Sequence, residues 1–305
     1  MAENNNVANV EEVKNRAIQN KYDFRLIFDV ENGNPNGDPD ADNLPRTDPE
    51  TSIGLVTPTC MKYKIRQSVI RDTLYGEKKN VAGNFRIMMR PDEGAINDKL
   101  AVAYKETDMK PKGNKCTKEE KNKATEWLLE RYWDIRAFGG VYNTGEARAN
   151  SVLGPVSLTF AKSVDPVLPT QLSGIRCVRT EASSTADNTI MKSTLIPYGL
   201  YIADGHVDAC VADKTHFTEE DLEVLWRAIE GMFENTYSAS RGKIVLRKLI
   251  IFKHDTPLGN AFSEDLFNKV KVELKEGVDV PRSYSDYNVT IDKTEIKGVE
   301  IIERV

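Results

Sequence analysis

The alternation of apolar and polar positions predicts a strand, a long loop and a helix near the start of the chain. Residues 24–30 read FRLIFDV and alternate as in a strand. The loop that follows is crowded with Asn, Gly, Pro and Asp, which favour turns. Thr57-Pro58 then predicts a helix start, because Thr caps free backbone N–H groups and Pro suits the first helical position.

Residues 85–140 are predicted to form helices around a lysine-rich stretch. Residues 85–89 could form a strand or a helical turn, and a short helix is predicted over 96–104. The lysine-rich stretch 105–123 is predicted to be mobile and solvated. Apolar residues at helical spacing from Ala124 predict one helix that ends at the glycines 139–140.

The rest of the chain, residues 154–305, is predicted to contain strands, a protrusion and one more helix. The runs 174–180 and 190–196 flank a polar tip and predict a hairpin-like protrusion. Thr218 and Asp221 predict a capping box before an amphipathic helix. Residues 265–274 could be a helix or a strand. The remaining predicted strands are 154–162, 197–203, 243–253 and an edge strand within 284–305.

This interleaving of strands and helices around one sheet predicts an α+β fold of ferredoxin-like type with insertions. Residues 1–20 are predicted to be a polar N-terminal arm, with one marginal helix at most. Residues 21–305 are predicted to form a single domain, because no change in composition demands two.

Composition narrows the class of protein. The chain has 305 residues, of which 40% are hydrophobic, and no apolar run long enough to span a membrane. It also lacks a secretory signal, so the cytoplasm is the expected location. The four cysteines lie far apart without a C-x-x-C pair and are expected to be free thiols. The net charge of −5 weighs against a protein that is basic overall, although cations can still line one groove.

Candidate catalytic groups are few. Asp38, Asp40 and Asp42 alternate like the start of a calcium loop, but Asn43 and Pro49 occupy the positions that require Gly and Glu. A turn network is therefore expected there, and no metal or cofactor. The three histidines lack metal-ligand spacing. A Ser-His-Asp triad stays open because triads assemble in space, although no G-x-S-x-G motif is present.

The basic residues are more informative. Lys62 and Arg66 share one face of the predicted first helix, beside an apolar stripe of Met61, Ile65 and Val69. A solvated outer face is the alternative reading of these two cations. Further cations lie in or beside loops rich in Gly, Pro or Ser, where backbone N–H groups can join them around a phosphate: Arg46, Arg136, Arg176, Arg179, Arg241 and Lys243. A polyanion groove is therefore predicted.

Several long segments resemble one protein family. FDVENGNPNGDPDADNLPR (28–46) and GLVTPTCMKYKIR (54–66) closely resemble the backbone subunit of type I-C CRISPR effector complexes (Cascade), of the RAMP superfamily. The resemblance covers roughly residues 20–290. Other segments agree in the same order: YWDIRAFGGV (132–141), LGPVSLTFAKSVDPV (153–167), IPYGLY (196–201) and ENTYSASRGKIVLRKLIIFKH (234–254).

The resemblance implies an RRM-like palm, inserted fingers at about 75–135 and a thumb hairpin at about 163–195. It implies a non-catalytic subunit that polymerises along a CRISPR RNA and displays it for pairing with a target DNA strand in antiviral defence. The partners implied are the CRISPR RNA, the target strand, further copies of the chain, and the RNA-processing, large and small subunits of a prokaryotic cytoplasmic complex. No membrane partner is implied.

The guide must expose its bases, so the protein is expected to hold phosphate and sugar. Ile190 and Met191 of the thumb are expected to displace a base. The residues expected to bind the RNA backbone are Asn34, Asn36, Arg46, Lys62, Lys64, Arg66, Arg136, Arg176, Arg179, Arg241 and Lys243.

Two departures from the family pattern concern possible RNA contacts. Ser193-Thr194-Leu195 stands where relatives often carry a His or another basic residue before the I-P-Y-G-L-Y strand. Leu153 stands where an Arg often precedes G-P-V, and Arg148 lies upstream. The contacts near these two positions are expected to differ.

Two other classes of function compete with the scaffold. Related subunits of type III complexes cut target RNA with an aspartate in the loop after the first strand, and Asp38, Asp40 and Asp42 lie in the matching 31–46 loop. A metal-dependent endoribonuclease is therefore the main alternative. A metabolic binding protein without a nucleic-acid role is the other. The scaffold is favoured because the resemblance is closest to type I subunits.

Overall fold

The computed structural model describes residues 16–76, 84–176, 189–234 and 236–305. The helices are α1 Pro58–Tyr75, α2 Ile96–Glu106, α3 Lys118–Arg131, α4 Trp133–Phe138, α5 Ala209–Thr215, α6 Glu219–Gly231 and α7 Ser263–Phe267. The strands are β1 Tyr22–Gly33, β2 Gly37–Asp38, β3 Leu44–Pro45, β4 Ile53–Val56, β5 Gly139–Gly140, β6 Val152–Leu153, β7 Val156–Leu158, β8 Ala161–Pro166, β9 Thr170–Arg176, β10 Thr189–Val207, β11 Lys243–His254, β12 Val270–Leu274, β13 Tyr287–Ile291 and β14 Val299–Arg304.

A central antiparallel sheet confirms the predicted α+β class. Its order is β14-β11-β1-β10-β8-β4, with β7 and β9 also paired to β10. The unit β1-α1-β8-β10-α6-β11 follows the strand–helix–strand–strand–helix–strand order of a ferredoxin-like fold. Strand β1 lies at its centre, where Leu26 pairs with Leu249 of β11 and Ala203 of β10. The predicted edge strand is also confirmed, because β14 pairs with β11 at the border of the sheet.

The two faces of the sheet are covered by different elements. Helices α1 and α6 cover one face, where the predicted stripe of Met61, Ile65 and Val69 joins the main core. The ring of Phe24 on β1 meets Trp226 of α6 at 5.2 Å between centroids. The C-terminal elements α7, β12 and β13 cover the other face in a second apolar cluster, which includes Phe252 of β11.

Helices α2, α3 and α4 surround a separate hydrophobic cluster that contains Tyr104, Leu128 and Tyr142. Most lysines of the lysine-rich stretch are exposed as predicted, but residues 118–123 already belong to α3. The helix begins before the predicted Ala124, because Thr117 and Glu120 form a capping box. The chain then breaks at Tyr132, so that two helices replace the single one predicted.

Some predicted strand boundaries were wrong. The strand predicted over 154–162 is divided into β7 and β8, because the Thr159 backbone N–H donates to the Asp204 carbonyl between them. Residues 85–89 form neither a strand nor a helix, apart from one isolated bridge between Arg86 and Tyr132. Residues 265–274 contain both alternatives, since the end of α7 is followed by β12.

The predicted protrusion is confirmed as an antiparallel hairpin of β9 and the first part of β10. Its register runs from Thr170 opposite Leu195 to Arg176 opposite Thr189. The tip over 177–188 and residues 1–15 of the predicted polar arm lie outside the described residues. None of the described helices is long and apolar enough to cross a membrane.

Candidate nucleic-acid interface

The end of β1 crosses the loop before β11 at very close range. A Cβ on Gly33 would lie 2.0 Å from the Arg241 carbonyl oxygen, and one on Gly242 would lie 2.2 Å from the Asn32 oxygen. Gly242 also has a φ of +63°, which disfavours other residues. The Asn34 N–H donates to the Ser240 carbonyl at 2.9 Å. These contacts bring Arg241 to the β1–α1 loop, although 207 positions separate it from Asn34.

The asparagines of this loop shape its backbone. Asn34 Nδ2 donates to the Asn43 carbonyl at 2.8 Å, and Asn36 Oδ1 accepts from the N–H of Thr57, the N-cap of α1. Arg46 forms an ion pair with Asp38 at 3.2 Å. Within the described residues, Asn34 Oδ1 and Arg46 Nε are buried without a hydrogen-bond partner.

The cations of α1 are divided between two sides of the helix. Lys62 Nζ and the Arg66 guanidinium both lie over the Phe138 ring, at 4.9 and 5.0 Å from its centroid. This confirms that they share a face. Arg66 Nε also donates to buried Asp134 at 2.8 Å, so Arg66 holds α1 to α4. Burial lowers the pKa of Lys62, and the neighbouring Arg66 lowers it further.

The other side of α1 lines a cleft, the α1 cleft, against the end of α6 and the loop before β11. Its volume is about 280 Å³. Its walls contain three cations and, among the described residues, no carboxylate. The lining residues are Cys60, Tyr63, Lys64, Gln67, Ser68, Arg71, Gly231, Met232, Thr236 and Arg241.

Lys64 is the most unusual residue of the α1 cleft. It is only 4% exposed, and its ammonium group lies 5.5 Å from the centroid of the Phe233 ring. Its ammonium group keeps some solvent access at the cleft, and no hydrogen bond or ion pair engages it within the described part of the chain. Burial lowers its pKa, the nearby Cys60 opposes that shift, and the positive charge of Arg241 adds to it. A buried cation without a counter-charge is costly, and an entering anion would remove that cost.

Arg241 and Arg46 extend this positive region. Arg241 donates to the carbonyls of Asn34 and Pro35 at 3.4 and 3.2 Å, bonds that orient the guanidinium without neutralising it. Burial raises the pKa of the Cys60 thiol, while Lys64, Arg241 and Arg46 act to lower it, so all three cations lie within electrostatic reach of one point. An anionic ligand is the natural occupant of such a place.

Arg136 lies apart from the α1 cleft and is engaged inside the protein. It is 6% exposed and forms a bidentate pair with Asp221, at 2.9 and 2.7 Å. Its remaining donors bond to the carbonyls of Leu129 and Asn84. In this structure Arg136 therefore joins α4 to the first turn of α6.

The other predicted RNA-binding residues are dispersed. Lys243 is exposed and pairs with Glu31 at 3.2 Å. Arg176 ends β9, while Ile190 and Met191 lie opposite Ile175 and Gly174 in the hairpin. Arg179 lies outside the described residues. Of the predicted set, the structure brings together Asn34, Asn36, Arg46, Lys64 and Arg241.

The predicted RNA-binding residues of α1 include both cations of one face but only Lys64 of the face that lines the cleft. Arg71, Tyr63 and Gln67 line the α1 cleft but were not among the predicted site residues. A signal was present in the sequence, because Cys60, Lys64, Gln67 and Arg71 follow a helical i, i+4, i+7, i+11 spacing. That spacing indicates a shared face, but only the tertiary contacts show that this face borders a cleft.

Among the described residues, the aspartates and histidines form no catalytic arrangement. Asp38 caps a short 3-10 turn by accepting from the Asp40 N–H, as the turn prediction required. Three members of a possible triad do meet, because Ser263 donates to Asp23 at 2.9 Å and His254 contacts Asp23 at 2.8 Å. However, His254 Nδ1 accepts from the Asn260 N–H, and the serine faces the carboxylate rather than the imidazole. This order cannot activate a serine nucleophile.

A comparison with known protein families identifies the chain. The model described as CRISPR-associated protein Cas7 matches residues 20–292. The chain belongs to the Cas7 family. A Cas7 protein of Haloferax volcanii is 25% identical over 309 aligned positions, which cover 94% of this chain and 84% of the relative.

Two solved structures show weaker likeness. One is a chain of a "CRISPR RNA-guided surveillance complex, pre-nicking", with 13% identity, a TM-score of 0.49 and coverage of 76% of this chain and 78% of the other. Another belongs to a type III-B Cmr-beta complex bound to cognate target RNA, with 10% identity, a TM-score of 0.40 and coverage of 82% and 66%. The Cas7 assignment rests on the family model.

Proposed function

We propose that this Cas7-family chain is the non-catalytic backbone subunit of a type I-C effector complex. It holds the sugar–phosphate backbone of a CRISPR RNA and leaves the bases free to pair with a target DNA strand. The observation that carries the proposal is buried, unpaired Lys64, which faces a cleft that also contains Arg71 and Arg241 and has no described carboxylate. Binding through phosphates suits a guide, because phosphate contacts position a strand without reading its sequence.

The covered face of the central sheet supports this placement of the RNA. RRM domains bind single strands on aromatic residues of an open sheet face. Here α7, β12 and β13 cover that face, and Tyr198 and Phe252 beneath them are buried. Buried Asp29, paired in a bidentate manner with Arg247, adds charge to the covered face. A basic surface lies instead where the β1–α1 loop meets α1, on the side of the α1 cleft.

Lys64, Arg71, Arg241 and Arg46 are the principal phosphate ligands in this proposal. Lys62 and Lys243 contribute at its border, while Asn34 and Asn36 shape the loop. Arg66 and Arg136 act mainly by stabilising the fold, because Asp134 and Asp221 hold them. The net charge of −5 does not oppose RNA binding, since three cations line the α1 cleft without a described carboxylate among its lining residues.

The remaining assignments extend this proposal by the resemblance to the type I-C backbone subunit. The sheet with α1 and α6 is the palm, the cluster around α2–α4 forms the fingers, and the β9–β10 hairpin is the thumb. Arg176, Arg179, Ile190 and Met191 act there on the RNA. Identical copies join head to tail along the guide, an arrangement that forms an open helix. The RNA-processing, large and small subunits complete the cytoplasmic complex, and target cleavage lies outside this chain.

Replacing Lys64 with Met tests the proposal. We expect several-fold weaker binding of single-stranded RNA and a salt slope smaller by about 0.7, the change for one lost phosphate contact. We also expect no loss of thermal stability, because Met keeps the apolar length of the side chain and removes a buried charge. Titration of labelled RNA at several salt concentrations, together with thermal unfolding, gives both quantities.

The control is Lys297→Met, which removes an exposed lysine in the loop before β14. That variant should keep the affinity and the salt slope of the parent protein. If Lys64→Met leaves both unchanged as well, the α1 cleft is not a phosphate site. If the parent chain binds no RNA, the proposed function itself fails.

A further inference from the structure

Tyr63 lies beside the cations of the α1 cleft with its ring available. Its side chain is 51% exposed and lines the cleft together with Lys64 and Arg71. Among the described residues, neither its hydroxyl group nor its ring has a hydrogen bond, an aromatic contact or a cation contact. Its position is fixed by α1, whose neighbouring residues Met61 and Ile65 are fully buried. The helix backbone therefore places an exposed, uncontacted aromatic ring next to the cations of the α1 cleft.

We propose that Tyr63 stacks on one base of the bound strand while Lys64, Arg71 and Arg241 hold an adjacent phosphate, so that the α1 cleft is a subsite for one nucleotide. This inference rests on the proposed function and adds a base contact to it. Phosphate and base are joined by a single sugar, so a strand that places its phosphate at Lys64 must place a base close by. The nearest exposed aromatic ring of the cleft is Tyr63.

The size and polarity of the α1 cleft support a single nucleotide. Its volume of about 280 Å³ lies just below the range of small-ligand sites, about 300–1,000 Å³, so it has room for one small group at most. The side chains of Gln67 and Ser68 also line it and have no hydrogen-bond partner within the described residues. An amide and a hydroxyl group can each donate or accept, so they suit the 2′-hydroxyl group of the ribose and leave the base edges free. Stacking is tolerant of sequence as well, because every base has a π face.

An oligomer without bases separates the two kinds of contact. The parent protein and Tyr63→Ala are titrated with a labelled short single-stranded RNA and with an abasic ribose-phosphate oligomer of the same length. Tyr63→Ala should weaken RNA binding by about tenfold, within the range known for one base–aromatic stack, and should leave abasic binding unchanged. Tyr63→Trp should retain or improve RNA binding. Lys64→Met should weaken both probes by the same factor.

The control is Tyr75→Ala, which removes a more exposed tyrosine at the end of the same helix, outside the α1 cleft. It should change neither affinity. The inference is overturned if Tyr63→Ala weakens both probes equally or neither, or if the parent binds the abasic oligomer as tightly as RNA. These results leave the proposed function standing when Lys64→Met still lowers affinity. Failure of the parent to bind either probe contradicts the proposed function instead.

Discussion

Replacing Arg136 with Met is expected to lower the free energy of unfolding by about 3–5 kcal/mol, the usual cost of breaking a buried ion pair from one side. The variant leaves Asp221 without its bidentate partner at a site where that residue is 1% exposed. It also leaves the carbonyls of Leu129 and Asn84 without donors. Equilibrium unfolding in urea measures the loss.

Arg148→Met provides a matched control. Arg148 is a half-buried arginine whose Nε donates to a single backbone carbonyl, that of Gly145. Its replacement should change stability far less. The double variant Arg136→Met with Asp221→Leu should recover part of the loss, because it removes both charges together. Equal stability of Arg136→Met and the parent would contradict the structural role of the pair.

This prediction changes how RNA-binding experiments must be read. Arg136 and Arg66 resemble candidate RNA ligands in the sequence, but each holds a buried carboxylate. Arg66→Glu would place a negative charge against Asp134, which is 1% exposed. If Arg136→Met or Arg66→Glu lowered the RNA affinity, the cause would therefore be damage to the fold. Lys64 and Arg241 are better positions for testing RNA contacts.

Asp23→Asn is expected to destabilise the protein by a similar amount, about 3–5 kcal/mol. Asp23 is fully buried on β1 and is the common partner of His206, His254, Ser263 and Lys21. An Asn side chain has one acceptor oxygen and carries no charge, so it cannot replace the carboxylate among these groups. Because the cluster joins β1 to β10, β11 and α7, the loss should appear as a lower unfolding temperature.

The difference in unfolding temperature between the parent and Asp23→Asn should depend on pH. Burial acts to raise the pKa of Asp23, but hydrogen bonds from His206 and His254 and the charge of Lys21 outweigh it and hold the pKa well below its ordinary value. A carboxylate with a lowered folded-state pKa stabilises the protein fully above its unfolded pKa, about 3.9. That contribution disappears as the pH falls toward the folded-state pKa.

Unfolding temperatures of both proteins across pH 7 to 3 test this sign. The difference should be full at pH 7 and should shrink below about pH 4, as the carboxyl group of Asp23 takes up its proton in the parent. Asp213→Asn, at an exposed aspartate of α5, serves as the control and should behave like the parent. A difference that grows on acidification would show that the carboxylate charge is not the stabilising group.

Local signals in the sequence determined most of the elements. The alternation over 24–30 gave β1, and Thr57-Pro58 and the Thr218–Asp221 box correctly marked the starts of α1 and α6. These predictions succeeded because period, caps and proline geometry act over a few residues. The family was also determined at this level, since long segments resemble Cas7 proteins and the family model matches residues 20–292.

Tertiary structure decided which cations face a ligand. Lys62 and Arg66 have the same spacing and charge as a ligand-binding pair, yet they lie on Phe138 and Arg66 pairs with Asp134. Lys64, one position from the buried Ile65, lines the α1 cleft without a counter-charge. The described residues that form this cleft with it, among them Arg241 and Met232, come from distant parts of the chain and include no carboxylate. The sequence states which side chains carry a charge. Whether such a side chain is buried, exposed to solvent or paired with an opposite charge depends on residues that only folding brings together.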